Sequence, residues 1–164
     1  MSPRAAAPIG AFRYHHPIEV RFVDTDALGH VNNATYLTYF EAARAGYYQA
    51  MMGTPFGTGE MADRHTFRIA EARVRYRVPA FFGEPLVCDC RVAWVGRSSF
   101  GLDYLVRSEG SPLWPARLVA DGDTVQVMYD LQRERVTRIP SDLVERFESF
   151  EGQALPRRVA SNGS

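Results

Sequence analysis

The 164-residue chain contains no lysine: all 19 of its basic residues are arginine. That absence removes Schiff-base lysine chemistry, and any phosphate must be held by arginine, backbone N–H groups or a helix terminus. Cysteine is scarce, with only Cys88 and Cys90. They lie two apart in an alternating apolar run, so in a strand they share a face and are poorly placed to bridge each other. The spacing is not the C-x-x-C of redox or zinc sites either. Buried, inert thiols are the expectation. The four histidines, His15, His16, His30 and His65, form no H-E-x-x-H or comparable ligand pattern, and no metal is expected. A G-x-S-x-G elbow and a phosphate-binding glycine loop are both missing, which disfavours serine hydrolases and nucleotide hydrolases. No stretch approaches 18 apolar residues, and MSPRAAAPIGAF lacks a continuous apolar core of signal-peptide length. No membrane partner and a cytoplasmic location are therefore expected. The 19 acidic residues balance the arginines to zero formal net charge, so nucleic acid is not expected as a partner.

What is present is an ordinary globular composition, 46% hydrophobic and 23% charged, in a length suited to one domain with a real core. Residues 1–12 are Ala/Pro-rich and expected to be disordered, residues 13–151 form the domain, and 152–164 are expected to be a flexible tail. Ile18, Val20 and Phe22 alternate with Glu19 and Arg21, predicting a strand over Pro17 to Val23. Tyr36, Tyr39, Phe40, Ala43, Tyr47, Ala50 and Met51 then recur at three and four, predicting an amphipathic helix from about Ala34 to Met52. Strands follow over Phe67 to Val78, Pro85 to Val95 and Phe100 to Arg107. Leu113 to Ala120 and Thr124 to Leu131 are also strand-like. Between them Asp121-Gly122-Asp123 reads as a hairpin turn or as a bulge in one long strand. A short helix covers about Ser141 to Phe150, with Ser141 as its cap. One long helix with a mostly antiparallel sheet is an α+β domain, and the aromatic stripe of the helix has only the concave sheet face to bury against.

The turn between the first strand and the long helix is Asp24-Thr25-Asp26-Ala27-Leu28-Gly29-His30-Val31-Asn32-Asn33. Gly29 supplies backbone freedom, and Asn32 and Asn33 sit where a helix cap belongs. These residues either simply close the turn and cap the helix, or hold a reacting group, and both readings stand on the residues alone. A helix N-terminus presents N–H groups that receive negative charge developing on a thioester carbonyl, and a carboxylate just upstream attacks that carbonyl or deprotonates water beside it. Elsewhere, Glu41 and Arg44 are three apart on the helix and read as an ion pair. Tyr36, Tyr39, Phe40 and Tyr47 read as core or as the wall of a substrate pocket. Arg97, Ser98 and Ser99 occupy a turn that is either merely solvated or in contact with a bound substrate; Arg77 and Arg91 are weaker candidates of that kind.

The run VRFVDTDALGHVNNATYLTYFEAAR, Val20 to Arg44, resembles the start of the 4-hydroxybenzoyl-CoA thioesterase-like family of hotdog proteins. VRYRVPAFFGEPLVCDCRVAWVGRSSF and VQVMYDLQRERVTRIP are similar too, extending the resemblance over roughly residues 15–150. It implies a hotdog fold, a long central helix wrapped by a mostly antiparallel five- or six-stranded sheet plus a short C-terminal helix. It further implies an acyl-CoA thioester hydrolase without a cofactor, acting as a homodimer or tetramer whose sheets join edge to edge, with sites between subunits. The second Asp of the D-x-D, Asp26, takes the place of the catalytic carboxylate, and the N–H of Asn33 that of the group polarising the carbonyl. His30, Asn32 and Glu41 are auxiliary candidates. Arg97, Ser98 and Ser99 would contact coenzyme A. The HVNN form is also similar to acyl-carrier-protein thioesterases, and a non-catalytic acyl-binding or scaffold hotdog domain is the remaining alternative. A hotdog hydratase fits less well, because the separations of His30 from Asp26 and Asp24 are four and six where that motif needs five.

Overall fold

The computed structural model describes residues 8–58 and 65–159. Strand β1 (Tyr14–Glu19) leads through a looped segment into helix α1 (Thr35–Met52). Strands β2 (His65–Tyr76), β3 (Pro85–Val95), β4 (Ser99–Ser108), β5 (Arg117–Asp130) and the two-residue β6 (Arg135–Val136) follow, and helix α2 (Ser141–Glu151) comes last. The sheet runs β1-β3-β4-β5-β2, with β6 beside β5, and every pairing is antiparallel. The result is the expected α+β arrangement, with six strands.

Alternation decides which side of the sheet faces the helix. Leu86, Cys88, Cys90 and Val92 of β3 pair with Ser108, Val106, Tyr104 and Leu102 of β4, and the apolar members pack beneath Tyr36, Tyr39, Phe40, Ala43, Tyr47 and Tyr48 of α1. Cys88 and Cys90 are free and buried on this one face. The outer face is a ladder of cross-strand ion pairs: Arg107 with Asp89, Arg91 with Asp103, and Arg75 and Arg77 with Asp121. Arg77 and Arg91, weak candidates for substrate contact, are thereby committed to the sheet.

Asp121-Gly122-Asp123 is no hairpin turn but the middle of the 14-residue β5. A Cβ on Gly122 would run into the Phe40 ring and the Arg73 carbonyl. The glycine is therefore there for close approach of the helix, where Phe40 lies stacked 4.3 Å from Tyr104. Gly122→Ala is expected to cost about 2 kcal/mol by overpacking, read as a lowered denaturation midpoint with unchanged m-value.

Other boundaries shift for local reasons. The first strand is Tyr14–Glu19 rather than Pro17 to Val23, because the Arg21 N–H and guanidinium bond the Asp24 carboxylate and curl Phe22–Asp24 into a 3-10 turn, leaving Phe22 78% exposed. Leu113 is exposed in a turn held by the Ser111 hydroxyl, and the strand begins only at Arg117. Helix α2 takes its cap position at Pro140, and Ser141 makes no side-chain cap. The terminal segments are placed further than expected. Phe12 is buried, and in the stretch expected as a flexible tail Leu155 is buried while Arg157 makes an isolated parallel bridge to Val95 and an ion pair with Glu148. Residues 1–7 and 160–164 lie outside the described residues.

Candidate active site

The segment between β1 and α1 is a small hairpin of its own. Thr25 and Val31 bridge antiparallel, the Asp26 N–H donates to the His30 carbonyl at 2.9 Å, and Gly29, at φ 78°, closes the tip. Asp26 is half-buried at its base. Its Oδ1 accepts the Leu28 N–H at 2.9 Å, and among the described residues its other oxygen has no partner. His30 packs edge-on against Phe81 at 5.4 Å.

Asp24 is the buried one of the two carboxylates, 3% exposed. Burial pushes its pKa up, but bonds from the Arg21 guanidinium and N–H, and from the Tyr39 hydroxyl at 3.3 Å, outweigh this and hold it below the ordinary carboxylate value. Asp24 is therefore structural: it anchors the hairpin to the helix, and its carbonyl accepts the Asn32 N–H at 2.8 Å. Tyr36 is raised to about 12, by burial first and by Glu84 second; Tyr39 rises by burial and by Asp24.

The entry to α1 is built differently from a simple Asn cap. Ala34 holds the cap position without a side-chain bond, and Asn32 Oδ1 accepts the Ala34 N–H at 2.9 Å. The Asn32 carbonyl accepts the Thr35 N–H at 2.9 Å, and the Asn33 carbonyl accepts the Tyr76 hydroxyl at 2.9 Å. With the Asn32 carbonyl turned toward the helix, the trans peptide aims the Asn33 N–H the opposite way, out of the helix end. Among the described residues it meets no acceptor, and the first turn carries no acidic side chain to neutralise it. An exposed N–H at a positive helix end and an ionisable carboxylate on the adjoining hairpin are the two parts that acyl transfer through an oxyanion needs.

Not every sequence candidate gathers here. Tyr36, Tyr39, Phe40 and Tyr47 are all buried core, and none of them lines a cavity described below. Tyr47, about 20 Å along the helix from its start, donates to Glu151 of α2 at 2.7 Å. Glu41 is exposed and makes no ion pair with Arg44. That arginine is 8% exposed and turns inward to the Tyr104 hydroxyl at 3.5 Å, in a buried network with Thr124 and Gln126. Arg97, Ser98 and Ser99 form the β3–β4 turn at the other end of the sheet, where the carbonyls of all three accept backbone bonds.

Sequence reasoning missed Glu84. Fully buried, it accepts the Arg117 guanidinium and the Phe81 N–H, fixing the loop that packs on His30 and delivers Ala80 O to the Val31 N–H. Its signal was a charged residue after Gly83 in an otherwise apolar FFGEP. An apolar cavity of about 270 Å³ lies between Tyr48, Met52, Phe56, Phe67, Met128 and Leu131, at the far end of α1. Among the described residues no three His, Cys, Asp or Glu come together as a metal site, and no helix is long and apolar enough to cross a membrane.

The family description Thioesterase-like superfamily matches residues 20–147. A thioesterase of Thermus thermophilus, solved in complex with coenzyme A and Zn, is similar at 31% identity and a TM-score of 0.73, over 88% of this chain and 98% of that one. The long-chain acyl-CoA thioesterase FadM of Escherichia coli K12 is 25% identical over 133 residues, 81% of this chain and 96% of that protein. The uncharacterized YsmA of Bacillus subtilis 168 is 29% identical over 110 residues, 66% of this chain and 71% of that protein.

Proposed function

Because the chain belongs to the Thioesterase-like superfamily and is an enzyme of the hotdog fold, we propose that it hydrolyses acyl-CoA thioesters, with Asp26 as the reacting carboxylate. What supports this reading is the outward N–H of Asn33 at the helix entry together with the half-buried Asp26 on the hairpin that leads into it, one oxygen of which has no partner among the described residues. The thioester carbonyl oxygen accepts from the Asn33 N–H as it gains charge. Asp26 then either adds to the carbonyl carbon, giving an anhydride that water opens, or takes a proton from the water that adds. Both routes expel the thiolate of coenzyme A, a leaving group that needs little acid assistance, and leave a free carboxylic acid. Asn32 supports the step by fixing the peptide at the helix entry. His30 lines the hairpin base, and no proton is routed through it.

The acyl group needs an apolar site, and within one chain the 270 Å³ cavity is about 22 Å along α1 from Asn33. A second copy supplies what is missing. Strand β2 is an open edge whose Arg68, Ile69, Ala70, Glu71, Ala72 and Arg73 are exposed, a template for pairing with another strand. Antiparallel self-pairing centred on Ala72 sets Glu71 opposite Arg73 on both sides. It also brings the Tyr76 end of one strand, whose hydroxyl holds Asn33, alongside the Phe67 end of the other, which walls the cavity. On this reading the protein is a homodimer, or a tetramer of two such pairs, and each dimer holds two composite sites.

Thiol release from short-chain, long-chain and aryl acyl-CoA is expected to spread over neighbouring chain lengths, since one methylene is worth only about 0.8 kcal/mol. A cutoff appears where the cavity ends. Release from none of these substrates overturns the reading, and a monomer at micromolar concentration in sedimentation overturns the composite site.

A further inference from the structure

We propose that Arg44, at the floor of the open groove between α1 and β2, binds a carboxylate at the far end of the acyl chain, so that monothioesters of straight-chain dicarboxylic acids are among the substrates. The inference rests on the hydrolase reading and adds a chemical class of acyl group and the residue that selects it.

Arg44 is the one buried arginine among the described residues, and no described residue gives it a carboxylate. Other arginines lack one too, Arg13, Arg73, Arg97 and Arg146 among them, but these are exposed and solvated. A guanidinium taken out of water is costly unless an anion meets it. Among the described residues the one bond of Arg44, from Nη1 to the Tyr104 hydroxyl, is long at 3.5 Å. The polar groups around it are underused as well. Tyr104 continues to the Thr124 hydroxyl at 3.0 Å, and Gln126 Nε2 donates to the same oxygen at 2.6 Å, while Gln126 Oε1 is buried without a partner. The Tyr48 hydroxyl, which has Tyr104 and Arg44 for neighbours, is also buried without a partner. A half-turn of the Gln126 amide lets Thr124 donate to Oε1 and frees Nε2. Guanidinium, tyrosine hydroxyl and amide N–H then present donors and one full positive charge, the set that a carboxylate satisfies.

The cluster is open to an acyl chain from the side of β2. Arg44 shares a flank of α1 with Leu37, Glu41 and Tyr48, and Tyr48 stacks on Phe67 of β2 at 4.6 Å, so that flank looks to the free edge of the sheet. Beneath it Ile69 and Ala72 pair with Gln126 and Thr124 and share their face of the sheet, yet Ile69 is 48% exposed and Ala72 is exposed. Leu37 is exposed across from them. The helix thus leaves an apolar groove uncovered, from Tyr76, whose hydroxyl holds Asn33, down to the Arg44 cluster. Its length fixes the acyl chain. Arg44 lies about 16 Å along α1 from Asn33. Its guanidinium leans back toward the helix start, to Tyr104, which stacks under Phe40 one turn earlier. With a hydrogen bond of about 3 Å at each end, the gap is about 8–10 Å, or roughly seven to nine carbons at ~1.3 Å per bond. A chain ending in methyl gains nothing here and crosses to the apolar cavity. A charged end is costly in that cavity and stays in the groove.

The test uses the full-length protein and two coenzyme A thioesters, one of an eight-carbon diacid and one of the eight-carbon monoacid, which differ only in the end group. Arg44→Met is expected to lower the ratio of kcat/KM, diacid over monoacid, at least about 10-fold, the scale of losing bonds to a charged group. Arg146→Met, which removes an exposed arginine also without a carboxylate, leaves the ratio as in wild type. Because Arg44 has no ion-pair partner to abandon, Arg44→Met melts at or above the wild-type temperature. Should it nonetheless fold poorly, Tyr48→Phe removes only an oxygen without a partner and lowers the same ratio at least about 3-fold. An unaltered ratio in either folded variant overturns the proposal, as does a wild type that hydrolyses the monoacid thioester and not the diacid one. So does a weakened dimer in sedimentation for both Arg44→Met and Glu41→Gln, which assigns the guanidinium to Glu41 of the partner subunit. Titration with the free diacid, the product, requires no turnover, and Arg44→Met is expected to lose at least about 10-fold in affinity. Protein that binds the diacid through Arg44 and hydrolyses neither thioester refutes the hydrolase reading and leaves this assignment standing.

Discussion

Asp26→Asn is expected to lower the turnover of acyl-CoA by about 100-fold or more while the melting temperature stays within a degree or two of wild type. The two halves of this expectation have separate causes. Asparagine keeps an Oδ1 to accept the Leu28 N–H, so the hairpin that Asp26 shares with His30 keeps its bonds. It cannot carry the negative charge that either addition to the carbonyl carbon or proton removal from water requires, and loss of a positioned acid–base group costs two orders of magnitude or more. Initial rates against one acyl-CoA, together with a thermal melt, check both halves. Full turnover in this variant would remove Asp26 from the chemistry. Single turnover in oxygen-18 water then divides the two routes: label entering the Asp26 carboxylate marks the anhydride, and label confined to the product acid marks the general base.

Asp24→Asn should behave the opposite way, costing about 1–2 kcal/mol of stability, the scale of leaving buried hydrogen-bond donors without their acceptor. Asp24 is acceptor to the Arg21 N–H, the Arg21 guanidinium and the Tyr39 hydroxyl at once, and an amide turned into that set presents donors to donors. Arg21 is largely exposed, so the Coulomb part is screened and the loss comes mainly from the buried bonds. The pH dependence follows from the depressed pKa of Asp24. A carboxylate that is more acidic folded than unfolded contributes fully above its unfolded value near 3.8. That contribution disappears as pH falls through the lower folded value. Wild type and Asp24→Asn should therefore differ most at neutral pH and converge in acid, as read from denaturant midpoints across that range. A constant difference at all pH values would mean that Asp24 acts by shape alone. Activity should fall less in this variant than in Asp26→Asn, because Asp24 faces the protein and Asp26 the solvent.

These two aspartates mark how far the sequence can be read. Nothing in D-T-D tells which carboxylate is buried: both precede the helix, and both favour turns. Burial was decided by Arg21, Tyr39 and the Asn32 N–H, which converge on Asp24 only once the helix is docked. The same holds for Gly122, which reads as a turn residue until Phe40 arrives above it. Arg44 pairs with Glu41 on helical spacing alone, yet in the fold it is drawn under the helix by Tyr104. Arg97 was visible as a single charge at a turn; its company of Arg138, Arg157 and Arg158 comes from segments far apart in the chain.

The sequence by itself determined the elements whose signals are local and periodic. The 3.6-residue aromatic repeat made α1, the two-residue alternation made β3 and β4, and the carboxylate–glycine–Asn run before the helix marked the hairpin proposed to hold the chemistry. Only the tertiary structure decided the direction of individual polar groups: which aspartate is buried, where the Asn33 N–H points, and which arginines stand together. The physical reason is that periodicity follows from backbone geometry within a few residues. The state of a polar group depends on which distant donors and acceptors reach it when the sheet closes around the helix.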